Sequence, residues 1–137
     1  MRLLIFTFFI LLSVSMSAQS ETVYTKEVGL EATTSTVINL PGTVNLKRWD
    51  SEHIKIVANV QINFDESILK RLMLVGRYKI NTSMNSTTIV IDMPTVDRYV
   101  AIKGVELIDT FSFDVYAPEG YRVFVKNKMN KGYSLNL

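Results

Sequence analysis

A chain of 137 residues is long enough for one ordinary domain with a real core and too short for two. Apolar residues at 47% and charged ones at 20% describe a folded globular chain, and a formal charge of +2 sets up no strong field for nucleic acid. The absence of cysteine excludes disulfides, thiolate catalysis and cysteine-ligated zinc together.

The chain opens on MRLLIFTFFILLSVSMSAQS, in which one basic residue precedes an apolar run from Leu3 to Leu12 and then small polar residues. That layout predicts a secretory signal peptide over residues 1–18, cut among Ser17, Ala18 and Gln19, because the run is too short for an ordinary membrane span. No cysteine follows the run, so a bacterial lipid anchor at that position is excluded. The mature protein is expected to be exported and soluble, whether periplasmic, secreted or on the outer surface. No transmembrane span should remain after signal removal.

Past the signal a single β-rich domain is expected over 22–127, with a loosely ordered tail over 128–137. Val44 and Leu46 alternate with Thr43, Asn45 and Lys47, and Ile54, Ile56, Ala58, Val60 and Ile62 oppose Lys55, Asn59 and Gln61. A period of two marks strands with one buried face and one wet face. Pro41-Gly42 and Asp50-Ser51-Glu52 read as tight turns, which gives a three-strand meander over residues 37–62.

One helix interrupts the alternation. In NFDESILKRLMLVG, Asn63 offers an N-cap with Glu66 three residues on, Ile68, Leu69, Leu72 and Val75 form one apolar stripe, and Gly76 suits the C-terminal cap. The stripe is expected to cover a sheet. Strands resume at Tyr78, Ile80 and Thr82, break at the polar loop Ser83–Ser86, and return from Thr88 to Met93 before Pro94. Residues 95–107 carry weak alternation and a break at Gly104. Phe111, Phe113, Val115 and Ala117 then alternate with polar residues, Pro118-Glu119-Gly120 turns the chain, and Tyr121, Val123 and Val125 open a last strand.

The matching pieces Gly42 to Asp50, Gly76-Arg77-Tyr78, Ile89 to Pro94 and Phe113 to Gly120 together span about residues 35–126. In this order they resemble the bacterial putative-adhesin domains of unknown function, whose repeats coil into a β-helix-like or β-roll stack. The resemblance implies export, β architecture and no known catalysis.

Two groups of residues compete as sites. Trp49-Asp50-Ser51-Glu52-His53 holds the only tryptophan and the only histidine, but one histidine leaves little margin for a catalytic metal, and no nucleophile elbow accompanies it. It reads as a turn. Asp92, Asp97, Glu106, Asp109 and Asp114 are scattered over separate strands, which favours solvated faces over a glycosidase pair. No calcium loop, phosphate loop or zinc-protease motif occurs.

The expectation is a mainly β protein with one short helix, built as a two-layer β-sandwich or a short β-roll. It would act as a non-catalytic exported interaction or structural module, adhesin-like and associated with the cell envelope, with no cofactor and no metal. Alternatives from other classes are a small periplasmic hydrolase and a ligand carrier with its cavity between helix and sheet. The candidate contact surface is a sheet edge at the last strand, Tyr121, Arg122, Phe124 and Lys126. There the tail could fold back, placing Tyr133 and Leu135 on the sheet, or another protein could add a strand or an anionic envelope polymer could bind, with the lysines discouraging indiscriminate pairing.

Overall fold

The computed structural model describes residues 18–127 and the strand backbone of 132–135. The expected signal segment up to residue 17, and tail residues 128–131 and 136–137, lie outside the described residues. The described residues are mainly β with one α-helix. Its strands are β1 (Ser20–Gly29), β2 (Ser35–Asn39), β3 (Thr43–Trp49), β4 (His53–Ile62), β5 (Asn81–Asn85), β6 (Thr88–Asp92), β7 (Ala101–Ile102), β8 (Val105–Glu106), β9 (Asp109–Pro118), β10 (Arg122–Asn127) and β11 (Gly132–Leu135). Helix α1 covers Glu66–Leu74, and a 3-10 turn covers Pro94–Asp97.

Two sheets carry the fold, ordered β1-β4-β9-β3 and β11-β10-β2-β6-β5, with β7 and β8 forming a separate hairpin. Alternate residues of β4 (Ile54 to Ile62) and β9 (Phe113, Val115, Ala117) share one buried cluster with Ile38 of β2, Ile89 and Ile91 of β6 and Val123 of β10. The two sheets therefore form two layers over one core, with β2, β4, β6 and most of β9 contributing every second side chain. The first strand starts at Ser20, two residues before the expected domain boundary, because Ser20 pairs with Ile62 and its hydroxyl donates to the Phe64 carbonyl.

The expected meander does not form. Leu40, Pro41 and Gly42 carry the chain from β2 in the five-stranded sheet to β3 in the other, so this turn is a corner between layers. β3 and β4 are not neighbours either, since β9 lies between them, parallel to β3 and antiparallel to β4. Asp50-Ser51-Glu52 consequently arches over the end of β9, across two strand spacings or about 10 Å, where a hairpin would cross one. β2 likewise pairs in parallel with both β10 and β6. Alternation identifies a half-buried strand but carries no information about which strand sits beside it.

The helix caps differently from the expectation. Asp65, not Asn63, is the N-cap, its carboxylate accepting from the Ile68 amide at 3.1 Å and the Ser67 hydroxyl at 2.7 Å. At the other end Gly76 takes φ +80°, the Arg77 amide donates to the Leu72 carbonyl and the Gly76 amide to that of Met73. This paired closure of a helix by a left-handed glycine leaves Leu69 buried and lays Ile68, Leu72 and Met73 against the core. Tyr78 and Ile80 are buried, as expected, but the strand begins only at Asn81, because residues 75–78 are still turning out of the helix. The polar loop shrinks to Ser86-Thr87 between the paired residues Asn85 and Thr88.

Gly42 is the corner's fixed point. It sits at φ +111°, and a Cβ there would lie 2.6 Å from the Phe111 carbonyl oxygen. Gly42→Ala is expected to lower the unfolding free energy by about 2–3 kcal/mol, through backbone strain and displacement of β9. Urea denaturation read by tryptophan fluorescence measures this, and a variant as stable as the parent would show that the corner relaxes freely.

Candidate functional site

A wide concavity of about 1080 Å³ opens at the end of the sandwich where β9 begins. Its walls are the β2–β3 corner, the end of the 3-10 turn with the residues that follow it (Val96–Val100), the stretch Glu106–Phe111 and Val125 and Lys126 near the end of β10. Pro94 starts the 3-10 turn, its fixed φ suiting a first helical position. Lys103 and Gly104, both at positive φ (50° and 79°), make the tight connection of the β7–β8 hairpin.

A two-stranded hairpin is marginal alone, and this one is pinned from outside. The Leu107 amide donates to the Val100 carbonyl at 2.9 Å, closing the stem, and the Leu107 side chain is buried. Asn63, released from the expected capping role, donates through Nδ2 to the Glu106 carbonyl and accepts through Oδ1 from the Ile108 amide, both at 2.9 Å.

Arg77 forms the floor. Its Nε donates to Asp109 Oδ2 at 2.9 Å, with both side chains almost wholly buried, 7% and 6% exposed. Its Nη1 donates to the Arg98 carbonyl at 3.0 Å and reaches that of Thr95 at 3.5 Å, and Nη2 donates to the Val96 carbonyl at 3.2 Å. One guanidinium thus joins the exit of α1, the carbonyls of the 3-10 segment and the first residue of β9. Behind it, Tyr78 packs edge-on against Phe111, with ring centroids 5.7 Å apart. The Tyr78 hydroxyl is buried without a hydrogen-bond partner, and burial, then the charge of nearby Asp109, pushes its ionisation well above the usual tyrosine range. The Tyr24 hydroxyl donates to the Tyr78 carbonyl, and burial pushes Tyr24 up to about 12.

Of the five acids weighed as a catalytic pair, Asp97, Glu106 and Asp109 line this concavity, whereas Asp114 lies on the outer face of its sheet, bonded to Asn45 and 3.8 Å from Lys47. Asp92 ends β6 and lines a separate hollow with Lys26 and Lys79. Among the described residues, no group of three or more His, Asp and Glu is placed to hold a metal ion.

Trp49 to His53 form a self-contained arch. The Trp49 indole donates to the His53 carbonyl at 2.9 Å, Ser51 Oγ lies 3.0 Å from His53 Nδ1, and the two rings meet edge-on at 5.0 Å. His53 Nε2 stands 3.5 Å from Glu27, an ion-pair distance without hydrogen-bond geometry. Lys47 and Lys55 lie over the Tyr116 ring at 5.4 and 5.7 Å. Neither Asp50 nor Glu52 takes part in these contacts.

The expected contact edge is corrected. β10 is an inner strand, with β2 on one side through Arg122–Val125 and the folded-back β11 on the other through Phe124–Asn127. The Tyr121 hydroxyl is 2.8 Å from Thr33 Oγ1 and 3.1 Å from Thr36 Oγ1, Arg122 pairs with Ser35, and Phe124 stands between Val37 and Leu135 in the ladder. Of the four residues, only Lys126 reaches the concavity. The residues that build the site, Arg77 and Asn63, were not foreseen; a lone arginine directly after a helix-capping glycine, amid apolar neighbours, was the available signal for the first. No family model matches the chain, and no curated protein matches it.

Two outcomes follow from these contacts. Asp109→Leu or Arg77→Met alone leaves a buried charge without its partner and should cost about 3–5 kcal/mol, while the two together should cost much less than the sum of the two. A double-mutant cycle by chemical denaturation reads the difference, and additive effects would remove the clamp. For Tyr24, the folded hydroxyl keeps its proton to about 12 while the unfolded one loses it near 10.0. Its contribution is therefore complete below the lower value and is lost as pH rises between the two. Tyr24→Phe should flatten the fall of stability across that interval, and an unchanged slope would place the alkaline sensitivity elsewhere.

Proposed function

We propose that this chain is an exported, non-catalytic interaction or structural module associated with the cell envelope, adhesin-like in build. The observation that carries the reading is the character of the concavity where β9 begins. Its buried charges satisfy one another and the surrounding backbone, so its floor is structural, while Tyr99 and Ile108 on its rim stand exposed. A wide opening with an internally neutralised floor and apolar rim suits contact with a partner better than proton transfer. The tripartite N-terminus supports export, and the resemblance of Gly42–Asp50 and Phe113–Gly120 to putative-adhesin domains supports the class.

One observation favours a second reading, the hydrolase: Asp97, Glu106 and Asp109 line a single opening. The carrier reading fares less well, since the space between helix and sheet is an open hollow of about 360 Å³. In the producing cell, the protein should appear in the envelope fraction with a mass matching cleavage near Ala18, and an intact Met1 on cytoplasmic protein would defeat the reading. A panel of chromogenic glycosides separates the two classes: turnover abolished by Asp97→Asn with Glu106→Gln would make the protein a hydrolase.

A further inference from the structure

We propose that β5 is a dimerisation edge: two copies of this chain pair their β5 strands antiparallel about a two-fold axis at Ser83, joining two five-stranded sheets into one. The inference goes beyond the envelope reading and does not depend on it. Among the described residues β5 ends its sheet, with β6 on one side and no strand on the other. All five of its residues are exposed, and Met84, which lies opposite the buried Ile89 and so on the core-facing side, is 57% exposed. Charge ordinarily guards a sheet edge against pairing. The edge strands of the other sheet follow that rule, β1 with Glu21, Lys26 and Glu27 and β3 with Lys47 and Arg48. Asn81-Thr82-Ser83-Met84-Asn85 carries no charge at all.

The backbone and the flanking charges select a second copy as the occupant. Because only Ser86 and Thr87 separate the paired residues Asn85 and Thr88, those two exchange hydrogen bonds, as do Ser83 with Val90 and Asn81 with Asp92. The N–H and C=O groups of Thr82 and Met84 therefore face the free edge. With the axis at Ser83, Thr82 of each copy stands opposite Met84 of the other, so every one of these groups finds a partner within the strands. Charge completes the match. Lys79 precedes the strand, beside Asn81 and Asp92. Glu31, in the β1–β2 loop, lies at the Met84 end, where the Thr34 amide donates to the Thr87 carbonyl at 2.9 Å. Both are exposed, and among the described residues neither has an ion-pair partner, whereas Glu27 nearby stands 3.5 Å from His53. Position 79 of one copy falls across from position 87 of the other, so each Lys79 comes to the Glu31 end of its partner. Both copies use the same patch, so association closes at two chains. Two five-residue edges make a small interface, and the dimer is weak and reversible.

Sedimentation velocity of the protein purified from the producing cell, over a wide range of concentrations, tests this. The mass should rise from one chain to two and stop there. Met84→Lys, which sets a charge on the free edge, should weaken association by about tenfold or more with the thermal midpoint unchanged. Glu31→Lys alone and Lys79→Glu alone should each weaken it too, and the two together should restore the dimer. That exchange involves two exposed side chains, so it stays readable should Met84→Lys unfold. The chain has no cysteine, which makes cross-linking a second readout. Residues facing each other across a two-fold axis in an antiparallel ladder lie within disulfide reach. Ser83→Cys should therefore link two chains on mild oxidation, while Val23→Cys, an exposed position on the other sheet, should not. A monomer at every concentration, growth beyond two chains, a dimer indifferent to Met84→Lys and to the charge exchange, or linking of Val23→Cys as fast as of Ser83→Cys overturns the proposal.

Discussion

A guanidinium removed from water must find hydrogen-bond acceptors on nearly every side, and in this protein that requirement organises an entire end of the molecule. Arg77 leaves the helix cap already aimed inward, and its acceptors are the Asp109 carboxylate and carbonyls of Thr95, Val96 and Arg98. Residues 95–98 belong to neither large sheet, so their carbonyls have no ladder to satisfy them. The arginine supplies donors that strands supply elsewhere. The width of the concavity and the outward placement of Tyr99 follow from where that segment is held.

Asn63 works on the same logic with a neutral group. A side-chain amide carries both donor N–H and acceptor C=O, the kinds of group that a neighbouring strand would present, and it meets Glu106 and Ile108 as a strand would. The β7–β8 hairpin is thereby joined to the main sheet's end without being part of it. At the opposite end, Trp49, Ser51 and His53 close the arch over β9 largely among themselves. The single tryptophan and histidine of the chain are thus accounted for by the geometry of a crossing.

Much of the fold was legible in the sequence because the burial pattern is local. Ile54 to Ile62 and Phe113 to Ala117 alternate cleanly, and both are central strands with one face in the core. Gly76 announces the end of α1 for the same local reason, the need for a left-handed residue. β1 was not foreseen, because Thr22, Tyr24 and Lys26 stand on its inner face and blur the contrast between its two sides. The helix cap was displaced by two residues, since Asn63 and Asp65 are both competent and only the hairpin's need for an amide separates them. The site was legible only in pieces: Asp97, Glu106 and Asp109 were noticed as acids, but their convergence depends on the Arg77 and Asn63 contacts, and the wall added by residues 41–44 depends on the parallel placement of β3 beside β9, neither of which a local pattern encodes.

That placement also governs the order in which the molecule can close. β3 and β4 are consecutive in the chain, yet the space between them belongs to residues 109–118, and β2 has β10 on one flank. A polypeptide delivered N-terminus first can form the β1–β4 ladder and the β5–β6 hairpin early, but its four-stranded sheet cannot be completed until Pro118 has emerged. Contacts so distant along the chain assemble slowly, because a long loop must be closed before they form. Late closure of this kind leaves the apolar faces of the early strands uncovered for most of synthesis, and makes the core the product of the last strands to arrive.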